Sequence, residues 1–146
     1  MTTTADAAAG TRSASRGRRL ALPLAASAVV GAATAYTALA DPYREGFFPS
    51  CMWLSLTGHW CPGCGGLRAV HELAHGDVAA ALGMNPVVVL IVLPLGIALL
   101  VAWLAQAWRG GTSPRIPLWL AVGVPGLLFV FWIVRNIPVL EPYLAP

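Results

Sequence analysis

PVVVLIVLPLGIALLVAWLAQAW, residues 86–108, is the stretch whose reading decides the fold. It runs from Pro86 to Trp108 without a charged side chain. At a rise of about 1.5 Å per residue, a helix of that length exceeds the roughly 30 Å of bilayer hydrocarbon. Hydrocarbon offers no partners for backbone N–H and C=O groups, so a spanning segment must pair them internally, as a helix does. Asn85-Pro86 reads as an N-cap and first helical residue. Pro94 and Gly96 should bend the helix. Trp103, Trp108 and Arg109 mark its far interface.

Two further runs flank it. Leu20 to Ala40 is uncharged, with Ala25, Ala28, Gly31, Ala32 and Ala35 giving a small-residue face for close helix packing. Pro117 to Val134 contains Pro125-Gly126 and ends at Arg135. The expected fold is an all-α integral membrane protein with three transmembrane helices and a short extracytoplasmic or interfacial helix bearing a Cys/His motif. Residues 1–19 are expected to be a disordered basic cytoplasmic tail, 20–40 the first spanning helix and 41–85 the extracytoplasmic motif segment. Residues 86–108 form the second span, 109–116 a cytoplasmic loop, 117–134 the third span and 135–146 an extracytoplasmic tail. Ala38-Leu39-Ala40 also resembles a signal-peptide cleavage site, but the apolar run before it is longer than such a segment needs, favouring a retained helix.

Composition agrees. Apolar residues make up 58% of the 146 and charged residues 10%, and the excess is gathered in blocks, which is a membrane pattern. Arginine supplies all the basic charge, and with abundant Ala and Gly it suggests a GC-rich bacterial genome. The net charge of +3 does not imply nucleic acid, because no basic surface with interleaved aromatics occurs. Arg12, Arg16, Arg18 and Arg19 precede the first run, and Arg109 and Arg115 follow the second. The segment between the two runs holds Arg44 and Arg68 against Asp41, Glu45, Glu72 and Asp77. The positive-inside rule then puts the N-terminus in the cytoplasm and the motif and C-terminus outside, and the expected location is a bacterial inner membrane. Arg135, on the outer side, runs against that count.

All three cysteines and all three histidines lie in the segment 51–75. Asp41 to Trp60 reads as a loop broken by Asp41-Pro42, Phe48-Pro49 and Thr57-Gly58, greasy enough (Phe47, Phe48, Met52, Trp53, Leu54, Leu56, Trp60) to lie in the headgroup region or to pack between helices as a buried loop. A short helix should follow from Gly65 or Gly66 to His75, with Leu67, Val70, Leu73 and Ala74 on one side and Arg68, His71, Glu72 and His75 on the other. Gly76 should end it, and Asp77 should cap a second turn from Val78 to Leu82.

These motifs, from Asp41-Pro42 and Phe48-Pro49-Ser50-Cys51 through Cys61-Pro62-Gly63-Cys64-Gly65-Gly66-Leu67-Arg68-Ala69, His71, His75-Gly76-Asp77 and Ala80-Ala81-Leu82 to Asn85-Pro86, resemble domain-of-unknown-function family 2752. The likeness covers about Asp41 to Val92. It implies a small bacterial membrane protein with a CPxCGxTR-like motif and assigns no activity. The sequence departs from the pattern at Leu67, where the family commonly carries Thr, so a hydroxyl near the cysteines is missing.

Three chemistries fit the residues. Cys61-x2-Cys64 has knuckle spacing, and His71 and His75, one helical turn apart, could complete a tetrahedral Zn site, with Cys51 and His59 as alternative ligands and Cu(I) as an alternative ion. Cys-Pro-Gly-Cys at a helix start also suits thiol–disulfide exchange, with Cys51, Cys61, Cys64 and Arg68 as the motif residues. Structurally, Cys51 could be stapled to Cys61 or Cys64, while Arg68 pairs with Glu72 or snorkels towards lipid phosphate. The expected function is a non-enzymatic membrane protein whose motif is a structural or partner-binding element. The alternative is a metal-binding or thiol-active one using Cys61 and Cys64. The lipid bilayer is its first partner, with a membrane protein or a second copy as others, and no catalytic residue is assigned.

Overall fold

A computed structural model of the chain describes residues 4–44, 48, 51–111 and 114–145. The described residues are helical, with no β-strand among them. The elements are α1 (Thr4–Leu39), α2 (Met52–Thr57), α3 (Gly66–Ala74), α4 (Val78–Met84), a π-helical turn (Val88–Val92), α5 (Leu93–Trp108), α6 (Leu118–Arg135) and α7 (Glu141–Leu144). Three stretches are long and apolar enough to cross a membrane: Arg16–Leu39, Val88–Trp108 and Leu118–Arg135. The protein is therefore all-α and suited to a lipid bilayer, in agreement with the fold class read from the sequence.

Two local expectations change. The helix of the first span begins at Thr4, inside the stretch expected to be disordered. Ala5, Ala7, Ala8 and Ala9 are strong helix formers, and lengthening an existing helix avoids the cost of a new nucleus. The segment from Asp41 to Trp60, expected as a loop, contains α2. Gly58 closes that helix in the left-handed region (φ 70) with its N–H on the Leu54 carbonyl, a conformation glycine adopts without Cβ strain.

The second span is interrupted rather than uniform. Pro94 has no N–H to donate to the Leu90 carbonyl four residues back, and its ring crowds that carbonyl. The π-helical turn Val88–Val92 lies directly upstream, where widening by one residue accommodates the lost bond.

The chain divides into two compact units. One comprises residues 1–32 and 96–115. Within it the Arg16 guanidinium lies 5.6 Å from the Trp108 ring centre, and Arg19 donates to the Gly110 carbonyl at 3.0 Å. The basic start of the first span and the end of the second thus meet.

The other unit, residues 33–95 and 116–146, carries the motif. Its small buried core is Ala69 of α3, Ala81 of α4 and Val89 of the π-helical turn, flanked by Leu73, Leu82 and Met84. Asp77 caps α4 by accepting the Ala80 N–H at 2.8 Å, and Gly76 makes the preceding turn at φ 84. Two alanines with no exposed surface let α3 and α4 approach closely, which fixes where the loop before α3 must lie.

Candidate metal centre

Cys61 to Cys64 forms a tight turn in which the Cys64 N–H donates to the Cys61 carbonyl at 3.2 Å. Gly65 follows with φ 80. A side chain there would be strained, whereas glycine lets the chain swing from the turn directly into α3. The swing brings the two sulfurs of the turn together, Sγ to Sγ at 2.6 Å. Cys51, at the position preceding α2, brings in the third: its sulfur lies 3.6 Å from that of Cys61 and 3.3 Å from that of Cys64. All three cysteines are free thiols, and they form the one group of three potential metal ligands found among the described residues.

The environments of the sulfurs differ. Cys51 is half-buried, and hydrogen bonding from the Leu54 N–H leads the effects that pull its thiol below the ordinary range, helped by the neighbouring thiols. Cys64 is buried, and loss of solvation pushes its thiol up to about 12. The Cys61 N–H donates to the Cys64 sulfur at 3.3 Å.

Buried polar side chains from two other elements hold the turn. Asn85, with no exposed surface, donates from Nδ2 to the carbonyls of Pro62 and Cys64, each at 3.0 Å. Its Oδ1 accepts the Val88 N–H at 3.0 Å, so one residue both caps the second span and clamps the cysteine turn. Arg135 at the end of α6 is also fully buried. It donates to the carbonyls of Cys64 at 2.8 Å and Cys61 at 3.5 Å through one nitrogen, and to Met84 at 3.3 Å through another. Asn136 pairs with both backbone groups of Trp60, accepting its N–H and donating to its carbonyl, each at 2.9 Å. Trp60 Nε1 reaches Glu141 at 3.0 Å.

The other ligand candidates lie elsewhere. His71 lies five positions beyond Gly66, about 7.5 Å of helical rise, and His75 lies further still, which carries both imidazoles away from the sulfurs. His71 Nδ1 bonds the Thr37 carbonyl at 2.8 Å, and His75 Nδ1 bonds the His71 carbonyl at 2.8 Å. The two rings stack with centres 4.3 Å apart, yet neither joins the sulfur group. Of the expected set, Cys61 and Cys64 lie together, joined by the alternative ligand Cys51, while His71 and His75 lie outside that group. His59 turns back on its own loop, with Nδ1 2.8 Å from the Thr57 carbonyl. Arg68 lies over the Tyr43 ring at 5.0 Å, and Tyr43 in turn donates to Glu72 at 2.7 Å, so the phenol stands where an Arg68–Glu72 pair was expected.

Residues 51–103 match a known family model. It is that of the family described as protein of unknown function, DUF2752. No curated protein and no solved structure matches the chain. The matched segment opens at Cys51 and takes in the whole sulfur cluster and Asn85, while Arg135 and Asn136 lie beyond it. Sequence reading missed these three clamps. Asn85 was legible as a helix cap and Arg135 as an exception to the charge asymmetry, but nothing in their spacing pointed to the cysteine turn.

Proposed function

We propose that this is a membrane protein whose three cysteines bind a soft metal ion, Zn(II) or Cu(I). The carrying observation is the convergence of Cys51, Cys61 and Cys64 sulfurs to separations of 2.6 to 3.6 Å. Tetrahedral Zn–S bonds of about 2.3 Å place sulfurs roughly 3.8 Å apart. The separations of 3.6 and 3.3 Å approach that value, and the third, 2.6 Å, is shorter. Thiolates are the ligands soft ions select, and three of them leave a fourth position for water or an exogenous donor.

Placement in a bacterial inner membrane, with the N-terminus cytoplasmic and the sulfur centre outside, belongs to the same proposal. The arginine asymmetry supports it. The exception is weaker than it looked, because Arg135 is bound to backbone carbonyls inside the fold and is not a free loop charge.

One observation favours a second reading. Cys61 and Cys64 stand three residues apart on one tight turn with their sulfurs adjacent, the neighbourhood a dithiol–disulfide pair needs. Metal analysis with thiol counting on detergent-purified protein separates the two. About one Zn or Cu per chain with three metal-protected thiols supports the metal centre. One disulfide, one free thiol and no metal overturns it in favour of the redox pair.

A further inference from the structure

A fully buried arginine needs an anion. Arg135 has no exposed surface, and no ion pair with Asp or Glu engages it among the described residues. Its hydrogen bonds go to three neutral carbonyls, and its Nε is buried without a partner. Two of those carbonyls belong to Cys61 and Cys64, so the guanidinium lies against the turn that carries two of the three thiols. The Phe131 ring, 5.4 Å from the guanidinium, contributes only a weak quadrupole. Desolvating an unpaired cation is strongly unfavourable, and a buried cation persists where a neighbouring negative charge offsets it.

From this we infer that Arg135 is the counter-charge of the sulfur centre, and that it tunes the site to hold a cluster of net charge −1. The inference rests on the metal reading above. A divalent ion reaches −1 with three thiolates, and a monovalent ion reaches it with two. With Arg135 the total is zero in both cases, the least costly charge state in a poorly solvated place. Arg135 therefore sets how many thiols each ion recruits. A divalent ion of the Zn class takes Cys51, Cys61 and Cys64 as thiolates, displacing three protons from the thiols to solvent. A monovalent soft ion takes two, displacing two protons and leaving one thiol protonated. The guanidinium touches the backbone of both Cys61 and Cys64, so it is a positioning residue that also carries the charge, and it meets the ion only through them.

The test uses the full chain in detergent, loaded with Zn(II) alone or Ag(I) alone. In the wild type, X-ray absorption should count three sulfurs around Zn(II) and two around Ag(I). Arg135→Gln should weaken Zn(II) binding by about 10- to 100-fold, the usual cost of losing an outer-shell partner. Arg135→Lys, which keeps the charge but not the fork, should retain more affinity than the glutamine variant. Three sulfurs around Ag(I) in the wild type overturn the inference, as does Zn(II) affinity in a folded Arg135→Gln variant within twofold of wild type. If the glutamine variant does not fold, the wild-type sulfur counts decide alone. If the wild type takes up neither ion, the metal reading itself falls and this inference with it. Uptake that is indifferent to Arg135 removes only the counter-charge.

Discussion

The two ends of α3 carry the two sets of candidate ligands, and the fold treats them oppositely. Before its first residue, the cysteine turn is bent, glycine-hinged and clamped through its carbonyls by buried Asn85 and Arg135. Its sulfurs are thereby left to face one another. At the other end, His71 rides on regular helix and His75 is its C-cap, and the Nδ1 of each is occupied by a carbonyl. Helical periodicity places two side chains on one face, but it brings in no third group from elsewhere. Convergence of three ligands requires a turn aimed at another segment, and only the cysteine end has one.

That contrast can be broken outright. Cys64→Ser should abolish stoichiometric Zn binding, a loss of at least about 100-fold in affinity because a thiolate ligand is removed. His71→Ala and His75→Ala should leave affinity within about twofold. Competition with a chelator of known affinity measures both, and equal losses would show the two ends acting as one site.

The next effect concerns the clamp. Asn85→Ala leaves the carbonyls of Pro62 and Cys64 and the Val88 N–H without their shared partner, and should cost about 2–4 kcal/mol of stability. Asp77→Ala removes one cap bond and should cost about 1 kcal/mol. Denaturation in mixed micelles ranks them, and a larger loss at Asp77 would contradict the importance given to the buried clamp.

A gentler experiment compares sulfurs within the cluster. Cys51 is held below the ordinary thiol range and Cys64 well above it. In metal-free protein near pH 8, alkylation should therefore modify Cys51 first and Cys64 last, which peptide mass mapping resolves. Because folding raises the Cys64 value to about 12 from the ordinary 9, the native state holds that proton more tightly than the unfolded chain does. This contribution to the stability of the metal-free protein is complete below about pH 9 and is lost as pH climbs towards 12.

The smallest effect lies at the histidine end. Burial, and then the hydrogen bond to Glu72, hold the Tyr43 phenol up to about 12. Glu72→Gln should lower it towards 10, read by ultraviolet titration against a Tyr43→Phe reference. No change in zinc affinity should accompany the shift, since this cluster stands apart from the sulfurs.

The apolar runs could be read directly from the sequence. Length and the absence of charge suffice to mark a spanning helix, because hydrocarbon leaves the backbone no alternative. Caps were equally legible at Asp77 and Asn85, since capping is satisfied within three residues of chain. The short helix α2 was hidden by its flanking breakers, and α1 extended further than its polar composition suggested.

Sequence alone thus determined an all-helical membrane architecture and singled out the cysteine motif, because both are local properties of composition and spacing. Tertiary structure decided which residues meet: Cys51 in place of the histidines, and Arg135, 71 residues from Cys64 along the chain, as the partner of the cysteine turn. Such pairings depend on where two helices end relative to one another, and a buried charge discloses its partner only once the chain has folded around it.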